Sequence, residues 1–384
     1  MGSQYAAKRN FDLGPGNHNS VSNLSPYIRR RLITEAEVVE AALEAHGLEG
    51  AEKFIQEVFW RSYFKGWLER RPDVWRSYCN GVQTDLDKIQ ADPDQNARLK
   101  RAEVGQTGIA CFDAWISELT QTGYLHNHAR MWFASIWIFT LKLPWRIGAD
   151  FFYRHLLDGD PASNTLGWRW VAGLHTRGKA YEAKTWNIAK YTGERFTPLQ
   201  SDIASDIQPL DRSEPEGLPP PQPLRRPTAP EENLPTALLI TEEDCSLETF
   251  QPRTLNICST GIVLASHLRS PRPVADHIKA FEAGALADVS NRLKINPCQI
   301  NMRDPTALAV WAKEAGAQQI VTAYVPEGPT RDWLREAETA LHDAKIPLCE
   351  WRRDWDAEVW PHATAGFFKV KLKIPSILSS LEIC

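Results

Sequence analysis

The stretch LLDGDPASNTLGWRWVAG, Leu156 to Gly173, sets two aspartates, an asparagine and two tryptophans beside three glycines. Asp158 and Asp160 follow an apolar run and precede Pro161, so the D-x-D pair fits a helix-capping loop as readily as a cation site. Asn164 and the pair Trp168/Trp170 fall within about two helical turns of the acids. Acid, amide and indoles together suit a planar, hydrogen-bonding ligand better than a hard cation. A magnesium site would bring phosphate-handling companions, and no G-x-x-x-x-G-K-[ST] occurs in the chain.

Three further segments carry residues of the same kind. In EKFIQEVFWRSYF (52 to 64), Glu57 and Arg61 stand four apart. That spacing makes an ordinary surface pair worth a few tenths of a kcal/mol, yet both share a helix with Phe54, Trp60 and Tyr63, and a carboxylate among rings is a pocket candidate. In TGYLHNHARMWFAS (122 to 135), His126, Asn127 and His128 lead into Arg130 and Met131. Two histidines at spacing two do not share a helical face, so no metal site is expected there or elsewhere. Arg130 among apolar neighbours needs a buried carboxylate, and Asp158 is the partner to propose. NHNSVSNLSPYIRRRL (17 to 32) is a helix start, with hydroxyl residues and Pro26. Its functional version is a phosphate held on backbone N–H groups.

Helical segments position these residues. Apolar residues recur at helical spacing over 25–47, 50–72, 109–123, 125–143 and 145–160, which predicts an all-helical domain over 1–197. A stretch dense in Pro and acids, 198–235, reads as a semi-rigid linker. Beyond it, TALLIT (236–241), LNICSTGIVLAS (255–266), QIVTAYV (319–325) and IPLCEWR (346–352) alternate with helical runs such as 330–344, which predicts a Rossmann-like parallel α/β domain over 236–384. The expected fold class is therefore α plus α/β.

Composition bounds the function. A hydrophobic fraction of 43% and a charged fraction of 24% over 384 residues describe a globular protein of about two domains. WFASIWIFTLKL (132–143) is too short for a membrane span and reads as a core helix. The seven cysteines are scattered without a C-x-x-C pair, and with no secretory leader a reducing cytoplasm is expected. Fifteen tryptophans, ten of them before residue 200, point to aromatic packing or to rings that stack on ligands or pass electrons. Residues 1–200 hold 25 Lys/Arg against 22 Asp/Glu, so a polyanionic partner should prefer that half, on a local patch from Arg9, Arg29, Arg30, Arg31, Lys65 and Lys179.

Taken in order, Y-x-x-x-R-x-F (Tyr5–Phe11), S-x-L-S-P (Ser22–Pro26), E-x-x-W-R (Glu57–Arg61), G-x-T-G (Gly105–Gly108), H-N-x-x-R-M (His126–Met131) and D-G-D-x-x-x-N-x-x-x-W-x-W (Asp158–Trp170) resemble the helical domain of the photolyase/cryptochrome family. The resemblance covers roughly residues 5–196 and implies FAD folded into a U. Tyr5, Val21, Ser22, Leu24 and Ser25 would line its phosphates, and Arg61 its ribose and diphosphate side. Asp158 and Asp160 would bond the isoalloxazine or ribityl side, with Arg130 paired to Asp158 and Asn164 facing N5. Phe54 occupies a cofactor-side position where many members place Trp. Glu57, Trp60, Asn127, Met131 and Trp170 match positions around a flipped-out pyrimidine dimer, which excited reduced flavin splits by electron transfer. Histidines hold the places of Asn127 and Met131 in the branch that repairs (6-4) photoproducts, so cyclobutane dimers are expected.

Departures accompany the resemblance. Trp168 and Trp145 match the proximal and middle electron-relay positions, but no Trp lies between Trp75 and Trp115 for the outer one, so Trp132 or Trp137 would substitute or photoreduction would be slow. The family's α/β antenna domain normally comes first; here 322–378 resembles its latter part, with W-P-H-x-T-x-G-F-F-K resembling the helix that closes it. The order is inverted, as in a short, rearranged photolyase. A second, antenna chromophore there stands beside the alternative of a structural remnant. The partner implied is UV-damaged DNA, single- or double-stranded, contacted through Arg9 and Lys179 by a monomer. A cryptochrome-like blue-light receptor and a flavin-containing single-strand binder without turnover are the competing readings.

Overall fold

The computed structural model describes residues 1–250 and 254–383; Cys384 lies outside the described residues. Two short helices, α1 (Ser3–Lys8) and α2 (Ser25–Arg29), precede α3 (Glu35–Glu69), the longest rod of the fold. The expected helix over 25–47 breaks because Arg31 takes a φ of 51° and Thr34 starts α3 with a capping box. The Thr34 hydroxyl accepts from Glu37 N while the Glu37 carboxylate accepts from Thr34 N at 2.7 Å. Gly47, with φ 64°, kinks α3 where two separate helices were expected.

Next come α4 (Pro72–Ala91), α5 (Pro93–Glu103), α6 (Ala110–Thr122), α7 (Asn127–Ser135), α8 (Trp145–His155), α9 (Pro161–Val171) and α10 (Thr185–Tyr191). A π-helical turn over Ile136–Thr140 prolongs α7, so the core helix expected over 132–143 forms as far as Thr140, and Lys142, with φ 52°, lies beyond its end. Most of the tryptophan excess is core packing. Trp115, Trp132 and Trp137 are fully buried, and their indole N–H groups donate to Asp12 Oδ2, Asn187 Oδ1 and Pro144 O, each at 3.0 Å.

The proline-rich segment 198–235 lies along the helical body as far as Leu224 and then bonds to the sheet through Arg225, Thr228 and Glu231. Ile203 is buried, Leu210, Leu218 and Leu224 pack on the core, and Glu214 accepts two bonds from Arg169 at 3.0 and 2.7 Å. A sheet then follows from β1 (Pro235–Ile240), β2 (Asn256–Ile262), α11 (Asp276–Leu293), β3 (Cys298–Gln299), α12 (Ala307–Glu314), β4 (Gln319–Ala323), α13 (Pro329–Ala344) and β5 (Leu348–Trp351). All pairings are parallel, in the order β3-β2-β1-β4-β5. Beyond the four expected strands stands β3, whose two residues are too short to leave a pattern.

The chain ends in α14 (Asp354–Val359), α15 (Phe368–Lys371) and α16 (Ile374–Ser380), and their apolar residues join the helical core, not the sheet. Trp355 Nε1 donates to Ser62 Oγ at 2.7 Å, and Trp360 fills a slot over Gly66, where a Cβ would come within 2.7 Å of the indole. The segment expected to close the α/β unit therefore completes the helical one.

The basic run Arg29–Arg31 is not a DNA-facing patch. Arg29 and Arg30 are fully buried and Arg31 nearly so, and Lys65 is buried too. Their partners are the acids that follow β1: Glu243 with Arg29 at 2.8 Å, Glu242 with Arg30 at 3.0 Å and Asp244 with Arg31 at 3.4 Å. Buried cations need such compensation, and of the expected patch only Arg9 and Lys179 reach solvent.

Candidate functional site

The Asp158–Asp160 loop joins α8 to α9. Asp160 caps α9, accepting from Ser163 N at 2.8 Å, and Pro161 sits at the first helical position. Asp158 is gripped by Arg130 of α7 through two bonds of 3.1 and 2.9 Å, while Arg130 Nε donates to Leu125 O. The ion pair expected from an arginine among apolar neighbours is therefore formed. α3 and α7 both pack against α9, which brings Arg61, Arg130 and the two aspartates to one side of the bundle.

The electrostatics keep both acids ionised. Burial pushes the Asp160 carboxyl up, but Lys65 at 3.6 Å, Arg29 at 3.8 Å and Arg61 more than offset it and hold the group at about 2. Burial likewise raises Asp158, and the Arg130 pair brings it below the ordinary carboxylate range. Two polar atoms in this cradle are buried without a hydrogen-bond partner: Arg61 Nη1 and Asp160 Oδ2. Trp168 Nε1 is a third, but Trp333 and Trp360 leave theirs unpaired elsewhere, so the indole alone decides little. A cation and an anion left without hydrogen-bond partners beside one another, where buried polar groups are nearly always bonded, fit a ligand with both donors and acceptors, as a flavin ring and its ribityl-phosphate chain have.

The other expected cofactor residues line the same region unevenly. Val21, Ser22, Leu24 and Ser25 form the half-buried turn entering α2, where Ser22 Oγ accepts from Leu24 N at 3.4 Å and Arg61 Nη2 reaches Ser25 O at 3.5 Å. Tyr5 meets Phe54 edge to face at 5.3 Å. Asn164 is buried and donates from Nδ2 to Ala149 O at 2.8 Å, which orients its amide.

Around the expected lesion pocket, Glu57 accepts from Arg9 at 2.7 Å, and burial, opposed by Arg9, raises its carboxyl. Trp60 stacks on Phe367 with centroids 4.0 Å apart, so one face of that ring is covered by the C-terminal segment. Trp170 is exposed beside Tyr181 at 5.4 Å, Asn127 is exposed at the start of α7, and Met131 is half-buried. Lys179 is exposed in the loop after α9. Trp168 lies over Gly148 and edge-on to Trp137 at 6.3 Å. Trp132 and Trp137, suggested as outer relays, are fully buried and reach no surface. The rings next to Trp145 are Tyr78 at 6.1 Å and, behind it, Trp75.

Sequence reasoning missed a buried cluster beside the cradle. His18 Nε2 meets Glu118 at 2.7 Å, Asp12 is held by Trp115 and Gly14, and potential ligand atoms of Asp12, His18 and Glu118 lie within 4.8 Å of one another. Each carboxylate already has a donor, so hydrogen bonding accounts for the cluster. His126, stacked on His18, is pushed down to about 4 by burial. Lone histidines in a glycine-rich stretch gave no signal for this packing.

The helical bundle presents a half-satisfied polar cradle between α3, α7 and α9. Residues 54–200 match the family described as the FAD binding domain of DNA photolyase. A deoxyribodipyrimidine photo-lyase of Streptomyces griseus is 38% identical over 159 residues, 41% of this chain and 33% of that protein. One from Alkalihalophilus pseudofirmus is 33% identical over 181 residues, 47% of this chain and 36% of its own. The chain thus spans about a third of the length of these relatives. A bacterial class III photolyase from Agrobacterium tumefaciens, of known structure, aligns with a TM-score of 0.39 at 27% identity over 50% of this chain and 39% of its own. Among the described residues no helix is long and apolar enough to cross a membrane.

Proposed function

We propose that the chain is a blue-light-driven, FAD-dependent lyase that repairs UV-damaged DNA, with cyclobutane pyrimidine dimers as its substrate. The observation that carries this reading is the cradle: Asp158 clamped by Arg130, with Arg61 Nη1 and Asp160 Oδ2 left open beside it. When bound and reduced, FAD supplies the light-driven electron that opens the cyclobutane ring. Asp158, Asp160, Asn164 and Arg61 hold the cofactor, with Tyr5, Phe54, Val21, Ser22, Leu24 and Ser25 along its flank. Glu57, with its raised carboxyl, hydrogen-bonds the extruded lesion. Trp60, on its uncovered face, and Trp170 stack on the pyrimidines, with Asn127 and Met131 at the edge. Arg9 and Lys179 meet the DNA backbone, and Trp168 and Trp145 relay electrons.

In this reading residues 1–197 carry the chemistry, 198–235 tether, and 236–384 form the antenna-like unit, with the helices after 354 returned to the first domain. The chain acts as a cytoplasmic monomer on single or double strands. A cryptochrome-like receptor is the second reading, favoured by the engagement of Glu57 with Arg9 and of Trp60 with Phe367. The test is to load the chain with FAD, reduce it and illuminate it with dimer-containing oligonucleotides. Dimers should disappear under blue light and persist in darkness; no light-dependent loss in either strand form would sink repair. Glu57→Ala should abolish most repair while FAD stays bound, and loss of FAD would refute the role given to Glu57.

A further inference from the structure

The carboxyl edge of β1, where the strand order departs in both directions towards β2 and β4, is the place where an open parallel sheet ordinarily offers a ligand crevice. Here protein fills it. Glu242 and Glu243, just past β1, are buried against arginines, and each of these arginines also grips a backbone carbonyl of the cofactor loop. Arg29 Nε donates to Gly159 O at 3.0 Å while its Nη1 and Nη2 donate to Glu243 at 3.0 and 2.8 Å. Arg30 Nη1 donates to Leu157 O at 2.7 Å and its Nη2 faces Glu242 at 3.0 Å. Arg269, from the turn after β2, reaches Leu156 O at 3.4 Å and pairs with Glu242 at 3.1 Å.

We propose that Glu242 and Glu243 are positioning residues for the Asp158–Asp160 loop, so that the α/β unit acts as an internal buttress without which the cofactor site is incomplete. The inference rests on the flavin reading of that loop. Three carbonyls in and leading into the loop, those of Leu156, Leu157 and Gly159, are bonded by guanidinium groups that also pair with Glu242 or Glu243. Glu243 has a second effect. Arg29 stands 3.8 Å from Asp160 Oδ2, the acceptor left open for the cofactor, and its two strong bonds to Glu243 keep it from closing on that oxygen. With the Glu243 charge removed, the buried guanidinium loses its two bonds to a carboxylate, keeps only Glu242 at 3.7 Å, and turns to Asp160. The acceptor is then occupied and the loop loses its anchor together.

The experiment uses the full chain as wild type, Glu243→Gln, Glu243→Asp and Glu350→Gln. Glu350, on β5, pairs with Arg225 of the linker and accepts from Val325 N, away from the Asp158–Asp160 loop, so its variant reports general loss of stability. Two readouts are taken: FAD affinity with the visible absorption of the bound flavin, and hydrogen exchange across residues 156–163 in the cofactor-free chain. Glu243→Gln should weaken FAD binding by about tenfold or more, the size of one charge-assisted hydrogen bond, alter the flavin absorption fine structure and speed exchange across the loop. Glu243→Asp should restore most of each, and Glu350→Gln should leave all three at wild-type values. Wild-type affinity and exchange in Glu243→Gln would overturn the proposal, as would equal losses in Glu350→Gln. If wild type takes up no FAD, the flavin reading fails, and the exchange comparison still decides whether Glu243 orders the loop. If Glu243→Gln does not fold, Glu242→Gln takes its place, because Glu242 anchors Arg30 and Arg269 on the same loop: faster exchange across 156–163 and weaker FAD binding than in Glu350→Gln support the buttress, and values equal to those of Glu350→Gln refute it.

Discussion

Gly148 in α8 sets two opposite effects against each other. Replacing a mid-helix glycine by alanine removes backbone freedom from the unfolded chain and ordinarily stabilises by about 0.5–1 kcal/mol. At Gly148 the added Cβ would sit 2.3 and 2.5 Å from the six-membered ring of Trp168 and 2.9 Å from Trp137 Cδ1. Neither indole can give way cheaply: Trp137 is fully buried and bonded to Pro144 O, and Trp168 is wedged against Phe152 at 5.1 Å. Overpacking of a rigid core costs about 1–3 kcal/mol and more where backbone must move, so the clash outweighs the propensity gain. Gly148→Ala should lower the unfolding free energy by about 1–2 kcal/mol in urea titrations followed by circular dichroism. Gly284→Ala is the internal control, since Gly284 lies mid-helix in α11, is exposed and has nothing within 4 Å of an added Cβ. That variant should gain about 0.5–1 kcal/mol. Equal gains in both variants would refute the packing argument, and with it the placement of Trp168 directly over α8. On the proposed role of Trp168 as the proximal electron relay, Gly148→Ala should also slow photoreduction of bound FAD.

The remaining expectations concern charge and capping. Asp158→Asn removes a two-bond clamp and leaves the Arg130 guanidinium without its counter-charge; a loss of about 2–4 kcal/mol and of FAD retention is expected, and unchanged flavin content after gel filtration would count against the cradle. Thr34→Ala deletes the α3 capping box and should cost about 1 kcal/mol in thermal or urea unfolding. Glu69 is pushed up to about 7 by burial and then by Glu327. Its folded value lies above the unfolded one of about 4.3, so its contribution is fully present below that value and is lost as pH rises through 7. Between pH 5 and 8, Glu69→Gln should gain about 2–3 kcal/mol relative to wild type; parallel stability curves would show that Glu69 carries no proton in the native state.

What could be read from the sequence was local, and what could not was distant. The Arg130–Asp158 pair was legible because an arginine set among apolar residues must find a carboxylate nearby in the fold, and Asp160 was legible as a cap because a helix start follows it with proline. The four longer strands carry β-branched or apolar runs, whereas the two residues of β3 carry none. Arg29, Arg30 and Arg31 misled for a physical reason. Three adjacent cations look like a solvated, anion-seeking face, and the acids that bury them lie far along the chain, Glu243 being 214 residues beyond Arg29. Trp360 and Phe367 misled similarly, since nothing beside them announces Gly66 or the open face of Trp60 as their seats.

The same long-range pairing alters what the α/β unit is for. An antenna domain that only harvests light could be joined by a flexible tether, and its contacts with the catalytic helices need not be strong. Here arginines of the helical unit enter the switch-point crevice and meet carboxylates that are almost fully buried. Burying charges of this kind is costly unless each is paired, so the two units favour one docked arrangement and resist separating. α14 to α16 add apolar packing to that arrangement, because they run from β5 back to α3 and close the helical core. The linker 198–235 and the return through α14 each cross between the units, so the sheet is tied to the helical core at both ends of its sequence and, through Glu242 and Glu243 just past β1, to the Asp158–Asp160 loop.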